Sequence, residues 1–130
     1  MANLHEIGED ESWALLSDAH FAHLAWNGSD GPTILPVNLA VDDRTVWIRT
    51  GYHSSIAREA DESRIAILVD SIDPESHEGW SVQVRGVAHA EYSEDKVPES
   101  VRALATWAAG ARPVWLRVKT TDINGRRLAE

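Results

Sequence analysis

Six stretches of this chain carry the residue types and spacing of β-strands, and turn signals separate them. The plainest is Arg64 to Asp70 (RIAILVD), and the longest runs from Trp80 to Tyr92. Phe21 to Trp26 alternates loosely and ends at Asn27-Gly28, followed by Ser29-Asp30-Gly31. Thr33 to Val41 is apolar and β-branched, but it contains Pro36. Proline cannot donate to a strand ladder, so Pro36 marks an edge, a bulge or a bend. Asp42-Asp43 turns the chain into a strand over Arg44 to Thr50, and Val114 to Thr120 forms another. Helical spacing is confined to three short pieces. Asp10 to Ala19 has acids in its first turn, Ser54 to Ala60 opens on serines, and Pro98 to Ala108 has proline in its first turn. The tail from Asp122 to Leu128 is expected to turn at Asn124-Gly125. A mainly β barrel of six strands, decorated by three short helices, follows.

A chain of 130 residues with 43% apolar and 25% charged residues suits one globular domain, expected to span 1–130. Twelve basic against 21 acidic residues give a net charge of −9. No basic footprint for phosphates is visible, so neither nucleic acid nor an anionic membrane surface is expected as a partner. A small anion stays compatible with a few local arginines and oriented amides. The absence of cysteine removes disulfides, thiolate metal sites and thiol nucleophiles. The opening MANLHEIGEDES has neither the basic nor the apolar region of a signal peptide, and no apolar run reaches spanning length, so a cytoplasmic location is expected.

The segment Arg49-Thr50-Gly51-Tyr52-His53-Ser54-Ser55 holds the most suggestive chemistry. A strand ends in a guanidinium and a hydroxyl, and two serines then open a helix, an arrangement that suits a phosphate. The alternative is that Ser54 or Ser55 only caps the helix and Arg49 is solvated. Six tryptophans, at 13, 26, 47, 80, 107 and 115, also leave two readings: core and dimer packing, or walls for a flat aromatic ligand. His20 and His23, three apart, would face opposite sides of a strand, and no metal signature accompanies them. No nucleophile elbow, Walker loop or dinucleotide fingerprint occurs. With so few catalytic groups of its own, the chain suits chemistry carried by a cofactor.

Read together and in order, these landmarks resemble the pyridoxamine 5′-phosphate oxidase-like family, the FMN-binding split barrels. They are Glu11-Ser-Trp-Ala-Leu-Leu16, Pro36-Val37-Asn38, Arg49-Thr50, Val69-Asp70, Gly79-Trp80-Ser81-Val82, Arg85-Gly86-Val87-Ala88, Trp107 to Arg112, and Asn124-Gly125-Arg126-Arg127. The resemblance covers about Trp13 to Leu128. It implies a six-stranded antiparallel split β-barrel with three short helices, a homodimer with a flavin at each of two interface sites, and a single FMN-binding domain. By the same resemblance Arg49, Thr50, Ser54 and Ser55 would hold the phosphate. Pro36, Val37 and Asn38 would line the isoalloxazine ring, with Trp80 and Ser81 near the ring or ribityl chain. Trp107 and Arg112 would arrive from the other subunit.

Relatives carry a glycine and a lysine in the phosphate turn where this chain has His53 and Ser55. Exchanging a charge-assisted contact for a hydroxyl is worth roughly 1.5–3 kcal/mol. FMN held more weakly, a different cofactor, and no cofactor all remain open at this point. The function the resemblance implies is an FMN-dependent oxidoreductase acting on a small-molecule substrate. One alternative is a deazaflavin-dependent reductase, with Arg58, Arg112, Arg126 and Arg127 as candidates for the longer anionic tail. The other is a non-catalytic flavin or tetrapyrrole binding protein with a degenerate phosphate site.

Overall fold

The computed structural model describes residues 2–51, 54–104 and 114–130. In chain order the elements are β1 (Asn3–Ile7), α1 (Glu9–Ser17), β2 (Phe21–Gly28), β3 (Gly31–Asp42), β4 (Thr45–Thr50), α2 (Ser55–Glu59), β5 (Ser63–Ile72), β6 (Gly79–Glu91), α3 (Glu99–Arg102) and β7 (Val114–Ala129). A short 3₁₀ turn over Glu94–Lys96 precedes α3. All ladders are antiparallel.

Six of the strands close on themselves in the order β7-β4-β3-β2-β5-β6, and β6 returns to β7. This is the expected six-stranded barrel. The seventh strand, β1, lies outside the ring, paired only to the end of β7 from Asn3–Ala129 to Ile7–Gly125. The polar sequence NLHEI, exposed at four of five positions, gave no sign of a strand. It forms because β7 offers it an edge.

That edge corrects a second expectation. Asn124-Gly125 does not turn; β7 runs straight through it to Ala129. Gly125 is there because α1 packs against this strand, and a Cβ at 125 would sit 2.3 Å from the Ser12 hydroxyl. The glycine thus serves a close approach of helix to strand rather than a bend.

Alternation divides each strand between barrel interior and outer surface. Ala22, Leu24 and Trp26 of β2, Val46 and Ile48 of β4, Ile65, Ile67 and Val69 of β5, and Val82 and Val84 of β6 point inward and are buried. Trp13 and Leu16 of α1 close this core at one mouth. A smaller core lies on the outer side of β4 and β7, where Trp47 and Trp115 meet Val97 and Val101 around α3. Four of the six tryptophans, Trp13, Trp26, Trp47 and Trp115, are therefore packing residues. Trp80 is half-buried, and Trp107 lies outside the described residues.

The hairpins are set by backbone chemistry. Asp43 and Arg44 take φ of 47° and 57°, the two left-handed positions of a two-residue turn between β3 and β4. Arg44 is thus a turn residue, and β4 starts one residue later than the sequence suggests. Its guanidinium reaches back to Asp10 and Glu9 of α1. At the other end, Glu59 of α2 accepts hydrogen bonds from the Ser29 amide at 3.2 and 3.3 Å, tying α2 to the β2–β3 turn. Of the helix expected from Pro98 to Ala108, Glu99–Arg102 is seen, and residues 105–108 lie outside the described residues.

Candidate functional site

Strand β3 changes partners half-way. Residues 31 to 38 pair with β2, and only from Leu39–Ile48 to Asp42–Thr45 does β3 pair with β4. Beyond Leu39–Ile48 the two strands part, because β4 continues along β7 as far as Thr50–Val114. Pro36, opposite His23, sits on the stretch of β3 that has lost its second neighbour. An edge is the place where a missing N–H costs nothing.

The residues next beyond the last paired couple are Asn38 and Arg49. Since Leu39 and Ile48 point inward, Asn38 and Arg49 share the outer surface on the two lips of this split. Asn38 Nδ2 donates to the His20 carbonyl at 3.2 Å. Arg49 Nη1 donates to the Leu104 carbonyl at 3.2 Å, and its guanidinium carbon lies 5.0 Å from the Trp115 ring centre. A cation over an indole face and one fixed hydrogen bond hold the group in place, so Arg49 is not simply solvated. Thr50, the next residue, points inward and is buried. Ser54 is the N-cap of α2, its hydroxyl accepting from the Ile56 amide at 3.1 Å. Capping is therefore a role that Ser54 does fill. Ser55 is the first residue of that five-residue helix and is half-buried; His53 lies outside the described residues.

Val37 packs against the main core, as does Trp80 at the start of β6, whereas Ser81 faces out. Trp80 and Ser81 stand apart from Arg49 and Thr50. From β4 to β6 the ring passes through β3, β2 and β5, four steps of about 4.8 Å each. By the other route, Arg49 is opposite Trp115 and Trp80 opposite Arg127, near the two ends of β7. The two groups of expected site residues thus lie apart on one chain. Trp107 and Arg112 lie outside the described residues. Of the arginines considered for a longer tail, Arg58 is on α2, Arg127 is bound to Glu11, and Arg126 lines a small polar recess with Ser81, Gln83 and Arg85, so they do not converge.

Between the end of α1, the start of β2 and Trp80 lies a cavity of about 380 Å³ that the sequence did not signal. Its walls include Leu15 of α1, Ala19 just beyond that helix, Phe21 and Ala22 of β2, Val69 of β5 and Trp80. Asp18, His20, His23 and Asp70 supply its polar groups. His20 precedes β2 in a bend, so strand alternation does not separate it from His23, and both line the cavity. His23 packs edge-on to Phe21, with ring centres 6.4 Å apart. Among the described residues, no group of three or more His, Asp or Glu is placed to hold a metal ion, and no helix is long and apolar enough to cross a membrane.

A closed ring of six antiparallel strands, opened on one side and capped by a helix, defines the split-barrel class. The chain belongs to the pyridoxamine 5′-phosphate oxidase family, whose model matches residues 8–127. An uncharacterized protein of Mycobacterium tuberculosis is 27% identical over 128 residues, 95% of this chain and 84% of the relative. The fold matches that of the FAD binding protein from Mycobacterium smegmatis, with a TM-score of 0.74 and 28% identity over 96% of this chain and 98% of that one. A FAD-binding protein from Mesorhizobium loti shares the fold at a TM-score of 0.72 and 16% identity, covering both chains completely at 100%.

Proposed function

We propose that this chain is a flavin-nucleotide-binding oxidoreductase whose sites are completed by a second copy of itself. The observation that carries the reading is the pairing of Arg49 and Asn38 on the outer lips of the split. A guanidinium suited to a phosphate stands one strand away from an amide suited to the polar edge of a flat ring. The local charge fits: Glu59, the acid of α2, is turned away onto the Ser29 amide, so it does not face an incoming phosphate. Arg49 would hold the phosphate, with Ser54 and Ser55 on the return from β4 to α2; Thr50, whose side chain is turned inward, is left out of that set. Pro36, Val37 and Asn38 would follow the ring. The bound flavin would supply hydride or electron exchange, and the chain would orient it against a small-molecule substrate.

The separation of the half-sites supports the dimer. A flavin at the split of one protomer would meet Trp80 and Ser81 only if its partner supplied them. The outer surface between the half-sites is apolar, with Phe21, Ile34 and Leu68 at 47%, 65% and 36% exposure in the single chain. Patches of this kind mark association surfaces. Among the described residues of the split Arg49 is the one cation placed for a phosphate, which matches FMN; the names of the Mycobacterium smegmatis and Mesorhizobium loti relatives favour FAD.

The test is a titration of both flavins, following fluorescence quenching, beside light scattering of the same sample. The expected result is one flavin per chain on a particle of twice the 14.4 kDa chain mass. A reductant-dependent rate above that of free flavin would separate an oxidoreductase from a carrier. A monomer that binds flavin normally would overturn the shared site, and a folded dimer that binds neither flavin would overturn the cofactor.

A further inference from the structure

We propose that the cavity between α1, β2, β5 and β6 is a binding site for a small, flat organic cation. The volume of about 380 Å³ falls within the range of small-molecule sites. The walls are apolar and two of them, Phe21 and Trp80, are aromatic, a surface that attracts a cation through the ring quadrupole. The charged groups are of one sign. Asp18 and Asp70 are the only residues of fixed charge lining it, accompanied by His20 and His23, with no lysine or arginine among the described lining residues.

Two further features deepen the negative potential. Asp18 is the C-cap of α1, where the helix already presents the negative end of its dipole, and the last turn of α1 contains no basic residue. Acids nearby are neutralised differently. Glu9 and Asp10 meet Arg44, Glu11 meets Arg127, and Asp122 meets Arg85, whereas neither Asp18 nor Asp70 has an ion pair among the described residues. The carboxylates and histidines do not form a metal-holding group, so charge complementarity and the aromatic walls together point to an organic cation. A phosphorylated ligand would bring close to two further negative charges to two carboxylates. The name of the family notwithstanding, this cavity is built against a phosphate ester.

The inference deepens the flavin reading, because Asn38 bonds the His20 carbonyl at the cavity rim and Ser81 pairs with Asp70. In the dimer proposed above Trp80 meets the flavin held at the split of the partner subunit, and a cation in this cavity would lie beside that flavin as its substrate. The test is nevertheless independent of flavin. Calorimetric titration of the purified full chain would compare N-methylquinolinium with quinoline, its neutral counterpart, at pH 7.5, and add pyridoxamine 5′-phosphate as the phosphorylated probe. The expected result is binding of the cation at least about tenfold tighter than the neutral ring, with the phosphate ester weakest. In the Asp18→Asn/Asp70→Asn double variant that preference should disappear while quinoline binding persists. Both positions are exposed, so the variant should fold, and the ratio in the wild-type chain is decisive by itself. Equal affinity for cation and neutral ring, a preference that survives the double variant, or tighter binding of the phosphate ester would each overturn the proposal. A chain that binds the cation but no flavin would sink the cofactor reading alone, and the converse would sink only this one.

Discussion

The wall of this barrel is built in two contrasting ways. Along β6 and β7 the ladder runs from Gly79–Leu128 to Glu91–Trp115, broken only by a bulge at Arg85/Gly86. Between β3 and β4 it lasts only from Leu39–Ile48 to Asp42–Thr45 before the strands part. The long seam binds its groups to one another and buries Val82, Val84, Leu116 and Val118. The short one leaves an edge, with Pro36, Asn38 and Arg49 along it. On the proposed reading, stability and binding chemistry fall on different sides of one ring, and substitutions should separate them.

The largest effect is expected on the seam. Leu116→Ala removes a side chain with no exposure and should cost about 2–5 kcal/mol of stability, read as a lower urea midpoint. Gly86→Ala should cost about 1–3 kcal/mol, because a Cβ there would lie 2.3 Å from the Lys119 carbonyl at the bulge. Flavin affinity per folded molecule should change little in both. The split should behave in the opposite way. Arg49→Ala should weaken flavin binding at least tenfold, about 1.4 kcal/mol, while the thermal transition stays broadly in place. Equal affinity in variant and parent would remove Arg49 from the site. The smallest effect is at Ser54→Ala, which deletes the α2 cap and should cost about 1 kcal/mol. If it also lowers flavin affinity more than that loss explains, the hydroxyl serves both the helix and the ligand.

Strand and turn chemistry made most of this fold legible. RIAILVD and the long alternation after Trp80 could hardly be anything but strands, and the family landmarks implied a split barrel of six. What escaped were features that a single segment does not encode. The strand character of Asn3–Ile7 depends on an edge more than a hundred residues away. Asn124-Gly125 looks like a turn, because the need for glycine arises from Ser12 on a distant helix. At the candidate site, Arg49 and Asn38 were legible as residue types, but their adjacency depends on where β3 exchanges one neighbour for the other. The carboxylates of the cavity were missed for a related reason. Asp18 and Asp70 are ordinary surface acids in sequence, distinguished only by the lack of a cation beside them among the described residues. An acid at the end of α1 with no basic residue in the last turn was the one available signal.

The bond from the Ser29 amide to Glu59 joins the tip of the first hairpin to α2, the helix that follows Arg49. Hairpin tips usually absorb insertions without consequence. This one is a handle on a lever: lengthening the Ser29-Asp30 turn would drag Glu59, and with it the start of α2 where the serines stand. If Arg49 and the α2 serines hold the ligand as proposed, a change of length at this tip should alter ligand grip rather than act as surface drift.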